Sequence, residues 1–233
     1  MKYYMILLSI FTSSLTACNS SENKDIQADS LRNEAESSAV KDENAFPQEA
    51  IVSVNATGFS KYARSSVPQL DWSKFTIARY WKEEFVVKAP FTPEKNYYET
   101  YGQFLKYSPD SSRFIDLDSY NIDIQKNKTG QLIGTDDGPD TEVSFVDLNK
   151  KQRMRLVFLG PGNSVEDAAW LDNNNLVLIG FQENVEATAI NAVVWKFDLS
   201  TNMVYLYELG DEAIVSKLED YSKKERLKNV IMR

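Results

Sequence analysis

Several aspartates in the middle of the chain are spaced so that their carboxylates can act together. Asp116 and Asp118 are two residues apart in an alternating segment, which places both on one face of a strand, and Asp123 lies in the next such segment. Paired carboxylates carry out acid–base chemistry when their separation and burial are suitable. An enzyme using them predicts that Asp116, Asp118 or Asp140 faces a concave pocket. Acids on an exposed strand face are the commoner arrangement.

Four further carboxylates lie within residues 136–142, namely Asp136, Asp137, Asp140 and Glu142. Ca²⁺ prefers oxygen ligands from a bent, glycine-containing loop, and Gly138 supplies the glycine. The spacing differs from that of an EF-hand, so we predict a solvated loop, with no metal ligand and no cofactor. Calcium binding is the alternative.

Aromatic side chains are concentrated in one part of the chain. Exposed rings would stack on a sugar or peptide, whereas buried rings would simply belong to the core, which is the interpretation we favour. The residues concerned are Trp72, Trp81, Tyr97, Tyr98, Tyr101 and Tyr107.

The residue types that are missing exclude several kinds of chemistry. The chain has no histidine and only one cysteine, Cys18, so Ser-His-Asp and Cys-His catalysis, histidine-ligated metals and an intrachain disulfide are all excluded. The net charge of −8 disfavours binding to nucleic acid. No catalytic residue is assigned.

The elements that would position these side chains are mainly strands. Alternating segments and turn signals predict two units of four strands each, within residues 102–209. Residues 71–81 are predicted to form a helix capped by Asp71, and residues 212–230 an amphipathic helix packed on the domain. The predicted fold is a mainly β domain, an antiparallel meander or partial propeller, with this C-terminal helix.

Each unit places an aromatic residue before a turn, as in Tyr107-Ser108-Pro109-Asp110, and has an Asp-Leu pair such as Asp147-Leu148 near the end of its third strand. In this the units resemble WD40-like or TolB-like β-propeller blades. The resemblance implies blade-like packing of four-stranded sheets. Two blades cannot close a ring, so either residues 51–101 add an irregular blade, or the strands form a sandwich or an open meander.

The N-terminus has the features of an export signal. Lys2 precedes an apolar stretch from Met5 to Phe11 that is too short to span a bilayer. Leu15-Thr16-Ala17-Cys18 then resembles the lipobox of bacterial lipoproteins. The resemblance implies cleavage of residues 1–17, acylation of Cys18, and anchoring in the bilayer through two or more acyl chains. Asn19 in place of Asp implies the outer membrane.

Residues 18–50 are predicted to be the acylated cysteine and a flexible tether. Residues 19–50 hold eight acidic and three basic residues, with Phe46 as the only aromatic, so they cannot bury enough apolar surface to offset their ordering entropy. One β-rich globular domain is predicted from residue 51 to residue 233.

These observations predict a membrane-anchored envelope lipoprotein that acts as a non-enzymatic binding or scaffold module, with an envelope protein or a glycan as its partner. A carboxylate-dependent enzyme acting on carbohydrate or peptide is the alternative. A structural subunit of an envelope complex is a third possibility, which would require a large exposed apolar patch.

Overall fold

The computed structural model describes residues 43–68, 70–183, 190–209, 218 and 221–233. Its helical elements are short: α1 (Gln48–Ala56), α2 (Gly58–Ser66), a 3₁₀ turn (Trp72–Lys74), α3 (Tyr97–Tyr101) and a π-helical turn (Ser222–Arg226). The strands are β1 (Thr76–Lys82), β2 (Lys88–Pro90), β3 (Lys106–Tyr107), β4 (Arg113–Asp116), β5 (Ile122–Lys126), β6 (Leu132–Asp136), β7 (Thr141–Asp147), β8 (Gln152–Leu159), β9 (Ser164–Trp170), β10 (Asn175–Glu183), β11 (Ile190–Asp198), β12 (Met203–Leu209) and β13 (Val230–Met232).

The strands form three sheets. The apolar sheet has the order β1-β12-β11-β10-β9, and the polar-faced sheet has the order β2-β8-β7-β4-β3. The small sheet, β13-β6-β5, contains a parallel pair between β13 and β6, and the other pairings are antiparallel. The mainly β, antiparallel class is therefore confirmed, and no sheet within the described residues closes into a barrel or propeller.

The two predicted units of four strands are present. One is the meander β3-β4-β7-β8, interrupted by the hairpin β5-β6 between β4 and β7, and the other is the meander β9-β10-β11-β12. Each gains a fifth strand from the N-terminal part of the domain, because β2 pairs with β8 and β1 pairs with β12. The resemblance to propeller blades stays a prediction.

The two five-stranded sheets share one apolar core. Leu176 and Leu178 of β10 pack in the same cluster as Ile115 of β4 and Val143 and Phe145 of β7. The intervening residues of β10 point the other way, because successive side chains of a strand alternate between faces. Gly180 belongs to this strand, and a Cβ there would lie 2.0 Å from the carbonyl oxygen of Ser164, so the β9 backbone can approach only a glycine.

Helices α1 and α2 cover the second face of the apolar sheet. Val177 and Ile179 of β10 form a cluster there with Val54 of α1 and Phe59 of α2. Thr57 caps α2 by accepting a hydrogen bond from the Ser60 N–H at 3.1 Å. The central strands β10 and β11 of the apolar sheet are thus buried on both faces.

The predicted tether boundary at residue 50 requires correction, since the fold begins earlier. Phe46 is 3% exposed, and its N–H donates to the Phe75 carbonyl at 3.0 Å. Helix α1 begins at Gln48, and its Ala50 and Val54 are buried. One aromatic anchor and one apolar helix face suffice to order this segment, although its composition is polar. Residues 1–42, which include the signal segment, Cys18 and most of the tether, lie outside the described residues.

Two predicted helices also require correction. Asp71 is a cap, since its Oδ1 accepts from the Ser73 N–H at 3.0 Å, but it caps only a 3₁₀ turn. The chain then continues as β1, because the Thr76–Lys82 segment pairs with β12. Of the helix predicted at residues 212–230, the described residues form only the π-helical turn Ser222–Arg226, and Val230 begins strand β13 because it pairs with β6. Residues 210–217, 219 and 220 lie outside the described residues.

No helix in the described part of the chain is long and apolar enough to cross a membrane. These residues belong to one compact unit.

Candidate functional site

A cleft of about 690 Å³ opens between the segment 90–101, strand β5 and the outer face of the polar-faced sheet. Ligand sites commonly have volumes in this range. The cleft is lined by Pro90, Phe91, Thr92, Pro93, Glu94, Asn96, Tyr97, Glu99, Thr100, Tyr101, Ser119, Asp123, Ile124, Gln125, Lys126, Asp137 and Arg153.

A buried aspartate lies behind the floor of the cleft and receives four hydrogen bonds. Asp116 Oδ2 accepts from the Tyr97 hydroxyl at 2.7 Å and from the Ser119 hydroxyl. Its Oδ1 accepts from the N–H groups of Asp118 and Ser119 at 3.1 and 2.9 Å. Asp116 is 3% exposed, and all its hydrogen bonds come from the protein itself. Tyr97 and Ser119, whose hydroxyls bind it, line the cleft.

Tyr97 cannot serve as a base in this position. Burial and the neighbouring Asp116 charge together raise the pKa of the Tyr97 phenol well above its usual value. The phenol therefore keeps its proton at any physiological pH, and that proton is donated to Asp116. Its oxygen still has lone pairs that can accept a hydrogen bond.

Arg153 supplies a positive charge at the same floor and is held from behind. Its Nε donates to Ser144 Oγ at 2.7 Å, and its Nη2 lies 3.7 Å from Glu142 Oε1. Glu142 in turn accepts from Arg155 Nε at 2.6 Å, and Arg155 does not line the cleft. Arg153, Ser144, Glu142 and Arg155 thus form a connected row of polar side chains on the outer face of the sheet.

The rim of the cleft carries exposed charged and amide groups of both signs. Asp123, Gln125 and Lys126 of β5 are exposed, as are Glu94 and Glu99 across the cleft. Tyr101 of α3 connects the two walls of the cleft, α3 and β5, through hydrogen bonds. Its hydroxyl donates to the Ile122 carbonyl at 2.9 Å and accepts from the Ile124 N–H at 3.0 Å.

A second cavity, of about 340 Å³, contains two of the aspartates for which an enzyme role was considered. Asp118 and Asp140 line it together with Glu166, Lys223 and Arg226. Asp118 forms an ion pair with the buried Arg226, whose Nε donates to the Glu166 carbonyl at 3.0 Å. Burial raises the pKa of the Asp118 carboxyl, and the Arg226 charge opposes that rise.

The structure therefore distributes the predicted carboxylates over three environments. Asp116 lies behind the first cleft, Asp123 is on its exposed rim, and Asp118 and Asp140 line the second cavity. Asp116 and Asp118 do not face a common pocket as an acid–base pair, because β4 ends at Asp116 and, of the two, only Asp118 lines either cavity.

The solvated loop predicted at residues 136–142 is shorter than expected, since Asp136 ends β6 and Thr141 begins β7, and its four carboxylates are not gathered. Asp136 is paired with Lys223 at 3.1 Å, and the buried Glu142 is paired with Arg155 at 2.6 Å. Within the described residues, no group of three or more acidic side chains could hold a metal ion.

The aromatic residues singled out in the sequence divide between the core, the surface and the cleft. Trp72 is buried under α2 and donates to Ser60 Oγ at 3.0 Å, as the core interpretation predicts. Tyr98 and Tyr107 are 46% and 41% exposed, and Trp81 is half-buried. Tyr97 and Tyr101 line the cleft.

Sequence reasoning missed Ser119, Arg153 and Arg226. Ser119 lies in a turn, and Arg153 follows a turn at the start of β8, so neither position has a spacing that indicates a site. The alternation of β7 does contain a signal, because Glu142 and Ser144 occupy the face opposite Val143 and Phe145. An acid and a serine on one face predict that this part of the face is polar, although Val146 further along the same face belongs to a small apolar cluster.

Cys18, the predicted site of acylation, lies outside the described residues. No known protein family, characterised protein or solved structure matches this chain.

Proposed function

We propose that this chain is a lipid-anchored bacterial envelope protein whose β domain binds a ligand in the 690 Å³ cleft without transforming it. The anchor rests on the lipobox that ends at Cys18. The ligand site rests on one observation: an open cleft has an ordered polar floor, while the carboxylate behind that floor is already bound by the protein's own donors.

A carboxylate that catalyses must reach the substrate, whether as an acid, a base or a nucleophile, and Asp116 is poorly placed to do so. It is buried, and four donors from the protein surround it. Its role in this arrangement is to orient the Tyr97 and Ser119 hydroxyls. Oriented groups of this kind favour binding, since their ordering cost is met before the ligand arrives.

Anchoring is tested by fractionating cells that express the protein or its Cys18→Ala variant. We expect the natural protein in the membrane fraction, with a mass that corresponds to a chain starting at Cys18 plus acyl groups. The variant should lose the acyl mass. An unacylated mass for the natural protein would overturn the anchor and leave the cleft argument unchanged.

Binding is tested by hydrogen–deuterium exchange of the full-length protein, with and without fractionated envelope polysaccharide and peptide. We expect slower exchange in residues 90–101 and 119–126 with one fraction, and no change in the masses of that fraction after incubation. Thr92→Trp should abolish the protection, because Thr92 is an exposed residue of the cleft lining. Thr76→Trp, at an exposed position on β1 outside the cleft, should retain it. Absence of protection with every fraction would refute binding in the cleft.

A second candidate function is carboxylate-dependent hydrolysis of carbohydrate or peptide in the smaller cavity. The observation in its favour is that Asp118, with its raised pKa, lines that cavity together with Asp140. New product masses in the incubated fraction, lost in an Asp140→Asn variant, would favour this candidate over simple binding.

A further inference from the structure

We infer that the cleft is built for a neutral, polyhydroxylated ligand, that is, an uncharged oligosaccharide rather than an anion, a cation or a peptide chain. This deepens the proposed function and rests on it. The inference comes from the direction of the hydrogen bonds at the floor of the cleft.

The two floor hydroxyls offer only acceptors to a ligand. A hydroxyl group has one proton, and both Tyr97 and Ser119 donate theirs to Asp116 Oδ2. If both hydroxyls turned their protons toward a ligand, the buried Asp116 carboxylate would lose two of its four hydrogen bonds. What remains toward the cleft is the lone-pair side of two oxygens. A ligand must therefore bring hydrogen-bond donors to this part of the floor.

Arg153, which lies near Tyr97, offers hydrogen-bond donors to a ligand instead of acceptors. Its guanidinium has five N–H donors, and Nε is used by Ser144 Oγ at 2.7 Å. It is close enough to Tyr97 for its charge to act on the phenol. Because Arg153 also lines the cleft, the ligand must accept hydrogen bonds here while it donates to Tyr97 and Ser119.

The charged residues that line the cleft disfavour a simple anion or cation as the ligand. Four acidic residues line the cleft against two basic ones, and these are Glu94, Glu99, Asp123 and Asp137 against Lys126 and Arg153. An anion would meet the four carboxylates and two acceptor oxygens, and like charges at short distance are unfavourable. A cation would meet Arg153 at the floor and would leave its donors without partners, which costs free energy in a partly buried position.

Sugar hydroxyls meet both requirements, because each donates one hydrogen bond and accepts others. Carboxylates on the rim accept from such hydroxyls, while Lys126, Asn96 and Gln125 can donate to them. Phe91, Tyr97 and Tyr101 supply rings to the same cleft, and aromatic rings pack on the apolar C–H faces of a sugar. A peptide backbone also donates and accepts hydrogen bonds, so a neutral peptide is compared directly with the sugars in the test.

The test uses an array of oligosaccharides matched in length: neutral oligomers of hexoses, deoxyhexoses and N-acetylhexosamines, oligomers of uronic acid, and oligomers of free hexosamine. Hexaalanine with an acetylated N-terminus and an amidated C-terminus is included as a neutral peptide. Full-length protein is applied to the array, and dissociation constants are measured for the members that bind. We expect binding to at least one neutral class, and an affinity at least about tenfold lower for its charged counterparts, since a desolvated charge that finds no partner disfavours binding.

Tyr97→Phe and Tyr98→Phe form a matched pair of variants. Both residues lie in α3 and both substitutions keep the ring, but only Tyr97 lines the cleft and is bonded to Asp116. Tyr97→Phe should weaken binding to the neutral oligosaccharide by about three- to tenfold, which corresponds to one hydrogen bond, and Tyr98→Phe should leave it unchanged. Tyr97→Phe also removes a donor from the buried Asp116, so its unfolding temperature should fall, and a cooperative unfolding transition above the assay temperature would show that both variants remain folded.

Equal or tighter binding of the uronic acid, hexosamine or peptide members would overturn the inference, as would the absence of binding to any neutral oligosaccharide. Such a result, combined with cleft protection by an envelope peptide fraction, would contradict only the ligand class. The same result without protection by any fraction would contradict the proposed function as well.

Discussion

The two five-stranded sheets have the same arrangement of strands but differ in what covers their faces. The apolar sheet packs against the other sheet on one side and against α1 and α2 on the other, so β10 is buried along both faces. The polar-faced sheet is apolar on the face toward the shared core. Its second face combines a small apolar cluster around Phe114 and Val146 with the polar residues Asp116, Glu142, Ser144 and Arg153. The first sheet therefore contributes mainly to the stability of the fold. The second sheet leaves the polar part of one face available to a ligand.

Replacing an aromatic core residue of the apolar sheet should have the largest effect. Phe197 of β11 is 1% exposed and packs against Phe85 with ring centroids 6.5 Å apart. Phe197→Ala leaves a cavity between the two sheets and should lower the free energy of unfolding by about 3–5 kcal/mol in chemical denaturation. Val86→Ala, at a side chain that is 75% exposed, should change it by less than about 0.5 kcal/mol. Equal effects of the two would contradict the assignment of the shared core.

The junction of the two sheets should be the next most sensitive place. Arg226 pairs with Asp118 at the end of β4 and donates to the Glu166 carbonyl on β9. Arg226→Met leaves the buried carboxylate without its cation, and we expect a loss of about 3 kcal/mol near neutral pH.

The pH dependence of this variant has a definite sign. Burial raises the pKa of Asp118, and removal of Arg226 takes away the charge that opposes the rise. A folded-state pKa above the unfolded one gives stability that is present at low pH and lost as pH rises through the raised pKa. The deficit of Arg226→Met should therefore shrink as the solution is acidified. A deficit that grows in acid would contradict this account. Lys223→Met, in the exposed pair with Asp136, should cost less than about 1 kcal/mol.

The polar face itself should tolerate change better than the core. Arg155→Met removes the partner of Glu142 at 2.6 Å, but the Arg155 side chain is 33% exposed and Glu142 keeps Ser144 Oγ at 3.0 Å. We expect a loss of about 1–2 kcal/mol, measured by denaturation. Ligand affinity should fall by less than in a variant of Arg153, because Arg155 does not line the cleft. The reverse order would show that the ligand lies elsewhere on the sheet.

The smallest effect is expected at a turn of the apolar sheet. Burial opposes ionisation of Asp198, but hydrogen bonds from the side chains and N–H groups of Ser200 and Thr201 outweigh it and lower its pKa to about 2. A lowered pKa gives stability that is present above the ordinary value near 3.8 and is lost as pH falls toward 2. Asp198→Ala should lose about 1 kcal/mol at neutral pH and flatten the pH dependence of unfolding between pH 4 and 2. An unchanged slope in this window would contradict the role of the turn.

Strand positions in the second half of the chain were predictable because they depend on local patterns. The alternation in β4, the apolar runs in β10 and β12, and the turns containing Asp110, Asp172 and Asp198 all identify strands and their ends. The aspartate side chain binds the backbone two residues onward in each of these turns, which is a local effect of residue type. Four strands in each unit follow from this local information.

Residues 43–101 were harder to interpret because their structure depends on distant partners. Residues 76–82 form a strand because they pair with the edge of β12. Phe46 is ordered because it contacts Phe75 and Tyr207. A composition that is typical of a tether or a helix was overridden in both cases by pairing and burial. Local propensity does not include those contributions.

The sequence by itself determined the mainly β class, the two units of four strands, the exclusion of histidine and disulfide chemistry, and the prediction of an acylated Cys18. Tertiary structure alone decided which groups form the cleft, because Tyr97, Ser119 and Arg153 come from three separate parts of the chain and meet only when β4, β7 and β8 pair. Hydrogen-bond direction is likewise a property of the assembled structure. A tyrosine or serine can donate or accept, and it is the buried Asp116 that leaves both of them as acceptors toward the cleft.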